Sequence, residues 1–173
     1  MLVHSYNPAW AEWFVTLQVL VGEALGDACL SIEHVGSTSV RGLAGKAIID
    51  IDIVFPVGGL DAVVERLAIL GYVHNGDQGV PSREVFKLAD EQKRANLPVH
   101  HLYACPQDSP ELARHLFFRE WMKSHPADRD EYTRKKFLLA ELCDHDRRLY
   151  ANVKAVALDS FFRRILGEME KAL

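Results

Sequence analysis

The sequence predicts an α/β (α+β) fold: a mixed sheet of four or five strands with flanking helices, followed by a segment made of helices only. Three observations carry this. The run Ala47 to Phe55 (AIIDIDIVF) is rich in isoleucine and alternates with period two, which marks a half-buried strand. Helical three-to-four residue spacing precedes it and recurs after it, so strands and helices are interleaved. From Ser109-Pro110-Glu111 onward only helical patterns appear. A chain of 173 residues, 49% hydrophobic and 25% charged, is long enough to bury one ordinary core.

The elements follow in order. Asn7-Pro8 reads as a cap followed by proline at the first helical position, with Trp10, Phe14, Leu17, Val21 and Leu25 on one face and Gly26 as the stop. Cys29 to Val35 reads as a strand ending at Gly36, then comes the Ala47 to Phe55 strand, and Leu60 to Leu70 is a helix closed by Gly71. Asn75-Gly76-Asp77 is a turn signal, and Glu84 to Leu88 and Val99 to Cys105 are strands separated by the polar stretch Ala89 to Asn96. Helices are expected over about 109–123, 126–142 and 146–166. The shift at Pro106 to Pro110 is the one candidate boundary, dividing an α/β core (1–108) from C-terminal helices packed on it (109–173).

Composition limits function. Residues 1–108 hold 7 Lys/Arg against 13 Asp/Glu, and 109–173 hold 13 against 11, a net charge of -4 overall. That balance gives no strong nucleic-acid signal, because a general binder needs a basic excess to displace counterions from phosphates. Cys29, Cys105 and Cys143 are widely spaced, which supports neither a disulfide framework nor a zinc cluster and fits a reducing cytoplasm. No stretch approaches the roughly 18 apolar residues of a membrane span, so no membrane partner is expected.

Residues two apart on a strand face the same way, so Asp50 and Asp52 present parallel carboxylates on one side of an apolar strand. Two such charges raise each other's pKa unless a cation or basic groups neutralise them. Mg²⁺ bound also to substrate phosphates is a natural counter-charge, and two solvent-facing acids is the plainer alternative. Just upstream, Gly36-Ser37-Thr38-Ser39 ends a strand with small hydroxyl residues able to cradle a phosphate through backbone N–H groups and hydroxyls. Lys46, Arg83 and Lys87 can add positive charge toward a triphosphate, or lie on the surface as ordinary charges.

The run Glu33-His34-Val35-Gly36-Ser37-Thr38-Ser39-Val40, continuing through Gly42-Leu43-Ala44, Lys46 and Ile48-Ile49-Asp50-Ile51, resembles the signature of the GrpB family, within the nucleotidyltransferase superfamily. Pro81 with Arg83 and Phe86, His101-Leu102, Phe118-Arg119-Glu120, His125-Pro126, Tyr132 with Lys136 and Tyr150 with Lys154 are similar to it as well. The resemblance implies a nucleotidyltransferase-like mixed sheet, a Gly-Ser turn for nucleotide phosphates, and Asp50 and Asp52 as ligands of a Mg²⁺ cofactor. Active members of that superfamily place a third carboxylate on a neighbouring strand. The strand expected to carry it reads Pro98-Val99-His100-His101-Leu102-Tyr103, which makes His101 the candidate for the third catalytic position. Where the family commonly has His-Leu-His, this chain has His-Leu-Tyr.

Two functions compete on these residues. In one, a nucleoside triphosphate held with Mg²⁺ gives its nucleotidyl group to an unknown hydroxyl acceptor. In the other, the same fold is a non-catalytic nucleotide or phosphate-ligand binding module. A third reading, metal-dependent phosphohydrolysis on helices, rests on His115, His145-Asp146 and Asp159, with Asp146 as the cap of the last helix in the plainer view.

Overall fold

A computed structural model describes residues 1–171. Helix α1 (Ala9–Leu25) starts where the Asn7 side-chain oxygen accepts the Ala9 N–H at 3.0 Å and ends at Gly26, and it buries Trp10, Leu17, Val21 and Leu25. Strand β1 (Ser31–Val35) and a single 3₁₀ turn (Ser37–Ser39) lead to β2 (Ile49–Phe55). Helix α2 (Leu60–Leu70) stops at Gly71, whose left-handed φ of 92° suits glycine. Strands β3 (Tyr72–His74) and β4 (Glu84–Leu88), helix α3 (Glu91–Asn96) and strand β5 (His100–Pro106) complete the sheet region. The C-terminal helices are α4 (Pro110–Ser124), α5 (Pro126–Leu142), α6 (Arg147–Ala157) and α7 (Asp159–Lys171).

The strand order is β1-β2-β5-β4-β3, with β2 and β5 parallel and the other neighbours antiparallel. Alternation along β2 then sets up two unlike faces. Ile49, Ile51, Ile53 and Phe55 join Trp10, Leu17, Val63, Leu67 and Leu102 in one cluster under α1 and α2. The opposite face carries Asp50 and Asp52, with Val35 and Glu33 opposite them on β1 and His101 and Tyr103 on β5. The C-terminal helices build a second cluster, in which Met122, Tyr132, Tyr150, Phe161 and Ile165 pack with Val3, Val40, Leu43 and Ala44.

The expected α/β fold with a mixed sheet is therefore present, with three local differences. The polar stretch Ala89 to Asn96 contains helix α3, nucleated by the Asp90 carboxylate accepting the N–H groups of Gln92 and Lys93; no apolar spacing betrays it because none of its residues is buried. The fifth strand is β3, three residues beside β4, too short to show alternation. The last helix is two: the chain turns at Leu158, so that Tyr150 of α6 and Phe161 and Ile165 of α7 reach the same cluster.

Candidate active site

Because β1 runs antiparallel to β2 with Val35 opposite Asp50, the turn leaving β1 passes across the Asp50 carboxylate. Gly36 makes that passage with φ +69°, and a Cβ there would lie 2.4 Å from Asp50 Oδ2, so glycine is required on both counts. The next residues fasten the turn. Thr38 is buried and its hydroxyl donates to the Ile48 carbonyl (3.3 Å) and pairs with His34 Nε2 (3.0 Å), while Ser39 Oγ donates to the Gly36 carbonyl at 2.6 Å. His34 stacks on Phe14, and burial drops its pKa to about 4, which leaves it neutral.

Ser37 differs from its neighbours. Its hydroxyl accepts from Lys136 Nζ of α5 at 2.5 Å, and the same ammonium donates to the Ala44 carbonyl at 2.6 Å. Lys136 is 2% exposed and lies against the Tyr132 ring at 4.0 Å. Burial, followed by the charges of Lys154 and Lys46 and against the pull of Asp50, holds its pKa well below the usual lysine value. Lys46, over the Tyr150 ring at 5.5 Å, is lowered by the same burial and by Lys154 and Arg147. Ser37, Thr38, Lys46, Asp50, His101, Lys136, Tyr150 and Lys154 together line a small cavity of about 80 Å³. The pairs Tyr132/Lys136 and Tyr150/Lys154, one helical turn apart, thus bring their lysines over the Gly-Ser turn.

The parallel register sets His101 beside Asp50, and His101 Nδ1 donates to Asp50 Oδ1 at 2.8 Å. Asp52 lies deeper, fully buried, and is held by a residue of α4 that the sequence reading placed in a different reaction. His115 Nδ1 meets Asp52 Oδ2 at 2.7 Å, and His115 Nε2 meets Glu111 Oε1 at 3.1 Å. A ring flanked by carboxylates on both nitrogens donates from both and is an imidazolium. Burial works against that charge, but the hydrogen bonds to Asp52 and Glu111 outweigh it and raise the His115 pKa to about 9. The bond from His115 is also the main cause that brings Glu111 down to about 2, with burial opposing and Arg114 assisting. Asp52 Oδ1 is buried without a hydrogen-bond partner.

Glu111, His115 and Arg119 recur every four residues on α4, a polar stripe turned to the sheet. Arg119 Nη1 donates to Glu33 Oε2 and to the His34 carbonyl, both at 2.9 Å, fastening α4 to the end of β1. That spacing was the available sign that α4 contributes to the site.

On the other side of His101, a larger cleft of about 450 Å³ lies against β4 and β5, lined by Arg83, Lys87, His101 and Tyr103 together with Arg94 of α3 and Arg147 of α6. Arg83 sits over the Tyr103 ring at 4.6 Å and 3.9 Å from Glu111. Lys87 is exposed on its strand. The remaining histidine-aspartate candidates are not brought together: His145 Nδ1 accepts the Leu2 N–H (3.4 Å), Asp146 caps α6, and Asp159 pairs with Arg163. Among the described residues no three His, Cys, Asp or Glu side chains converge as a metal cluster, and no helix is long and apolar enough to cross a membrane.

Comparison with known proteins adds to this geometry. The chain is 34% identical over 138 residues to the UPF0157 protein YqkA of Bacillus subtilis, a match covering 78% of this chain and 38% of that protein, so the chain spans well under half of that relative's length. It superimposes on the crystal structure of the conserved protein GrpB from Enterococcus faecalis with a TM-score of 0.79 at 29% identity, covering 98% of both chains. A structure of Cid1 in complex with its short product ApU matches with a TM-score of 0.52 at 14% identity over 79% of this chain and 42% of that one, which shows a nucleotidyltransferase-like fold. The family model described as GrpB protein matches residues 1–166, and the chain belongs to the GrpB family.

Proposed function

We propose that the protein binds a nucleoside triphosphate with Mg²⁺ and transfers its nucleotidyl group to a hydroxyl acceptor. The observation that carries this reading is the single small cavity in which Asp50 and His101 face Ser37 and three lysines, Lys46, Lys136 and Lys154. Three cationic side chains and a strand-end turn suit the β- and γ-phosphates. Asp50 stands at the edge of that cavity, and the unpartnered Oδ1 of Asp52 marks a buried oxygen that a cation would satisfy. Mg²⁺ ordinarily takes one or two carboxylates and completes its sphere with phosphate oxygens and water, so two aspartates suffice to hold it. When bound, the ion supplies charge neutralisation on the phosphates.

The chain's own residues then have distinct tasks. Lys136, whose pKa burial depresses, holds the leaving pyrophosphate together with Lys46 and Lys154. Ser37 exchanges its lysine contact for a phosphate oxygen. His101 Nδ1 keeps Asp50 in one rotamer, leaving Nε2 to accept the acceptor proton. Thr38 and Ser39, whose hydroxyls are engaged within the turn, shape it.

The complete burial of Asp52 against His115 favours a second reading, in which the nucleotide binds without transfer. Incubation with nucleoside triphosphates labelled at the α-phosphate, plus a small-molecule extract as acceptor source, separates the two. Label moving to new products in a manner abolished by Asp50→Asn supports transfer. Binding without any new labelled product supports the module, and neither binding nor product overturns both.

A further inference from the structure

We propose that the cleft over β4 and β5 is the acceptor subsite and that the acceptor is a small anionic molecule bearing a hydroxyl next to a carboxylate or phosphate group. The proposal rests on the nucleotide reading for its direction. In-line displacement sets the attacking oxygen opposite the leaving pyrophosphate. With pyrophosphate on the lysine side of Asp50, the acceptor comes from the far side of His101, where the cleft opens. His101 lines both cavities, which makes it the hinge point between them.

The charge of the cleft defines the ligand class. Arg83 and Lys87 at β4, Arg94 of α3 and Arg147 of α6 come from three separate stretches of chain to one cleft, and no acidic residue lines it among the described residues. Neither Lys87 nor Arg147 has an ion-pair partner among the described residues, and Arg83 is oriented by the Tyr103 ring with its Nε buried and unpartnered. The chain as a whole carries a net charge of -4, so this positive cluster runs against the overall balance. A cationic acceptor such as an amino sugar would meet repulsion from Lys87 and Arg147. A volume of about 450 Å³ admits a metabolite-sized molecule.

The test uses one ring scaffold with four charges: glucose 6-phosphate, glucuronate, glucose and glucosamine, titrated calorimetrically into the protein. The first two distinguish phosphate from carboxylate recognition. Either should bind at least tenfold more tightly than glucose, with glucosamine weakest. The double variant Lys87→Glu/Arg147→Glu, both exposed positions, should reduce that anion binding at least tenfold, and Lys46→Ala/Lys154→Ala should leave it within twofold. Failure of all four to bind, equal binding of glucose or glucosamine, or anion binding unchanged in Lys87→Glu/Arg147→Glu overturns the subsite. Loss confined to Lys46→Ala/Lys154→Ala overturns it too, because the anion then occupies the phosphate cavity. Absence of Mg²⁺-nucleotide binding with anion binding intact would sink the nucleotide reading alone.

Discussion

Replacing His115 by leucine removes the cation that neutralises a fully buried aspartate. The side chains of Asp52 and His115 are 0% and 21% exposed, so solvent screens their interaction little. Two routes give the magnitude. Stranding a buried charge by deleting its partner costs on the order of 3–5 kcal/mol. The rise of the His115 pKa from 6.5 to about 9 corresponds to about 3 kcal/mol of interaction with the charged ring. Urea unfolding at pH 7 should therefore show a stability loss of about 3 kcal/mol for His115→Leu. Exposed Arg163, paired with Asp159 on the surface of α7, should cost under about 1 kcal/mol when replaced by alanine. The pH dependence has a definite sign. A group whose folded pKa is raised stabilises fully below its unfolded value and loses that contribution as pH passes through the folded one. The wild type should weaken between about pH 6.5 and 9, and His115→Leu should not share that loss. A cost below about 1 kcal/mol for His115→Leu, or a wild-type profile flat across that window, would refute the assignment of His115 as the counter-charge of Asp52.

Further outcomes follow from neighbouring residues. Gly36→Ala must adopt a left-handed φ, costing about 1–2 kcal/mol, and also displaces the Asp50 carboxylate, so thermal melting should fall and Mg²⁺-dependent nucleotide binding should fall with it. Glu111, whose pKa is held at about 2, contributes stability above its unfolded value that disappears as pH falls from about 4.5 to 2; Glu111→Gln should flatten that acid limb in a circular-dichroism titration. Lys136→Met removes a buried amine whose folded pKa is depressed, a cost to the wild type that eases as pH rises. The variant should fold at least as stably at pH 7, yet bind triphosphate at least tenfold more weakly by calorimetry.

Much of the fold was legible because hydrophobic period is a local signal. The alternation in Ile49–Phe55 fixed which face carries Asp50 and Asp52, and the strand carrying His101 was recognisable as a candidate set off by the polar stretch Ala89 to Asn96, while its parallel register beside β2 came only with the structure. What escaped had no such period. Helix α3 buries nothing and is announced by one capping aspartate, and β3 is three residues long. In the site, Gly36 was read as a phosphate turn, while its closest constraint is the carboxylate packed on it, a contact 14 residues away in sequence that only the β1–β2 register reveals. The role of His115 was hidden for a related reason: it meets Asp52 across more than sixty residues, and although Glu111, His115 and Arg119 share one helix face, that spacing does not say which strand residue the face meets. Lys136 looked like an ordinary member of a helical pair until α5 was docked over the Gly-Ser turn.

The proposed function depends on whether the cavity of Asp50, Ser37 and the three lysines holds a triphosphate with Mg²⁺. Calorimetric titration of ATP, GTP, CTP and UTP, each with and without Mg²⁺, into the wild type and Asp50→Asn reads it directly. One-to-one binding of at least one nucleotide is expected, with a dissociation constant below about 1 mM, dependent on Mg²⁺ and lost in Asp50→Asn. Absence of binding by all four, or binding that Asp50→Asn and removal of Mg²⁺ leave unchanged, would contradict it.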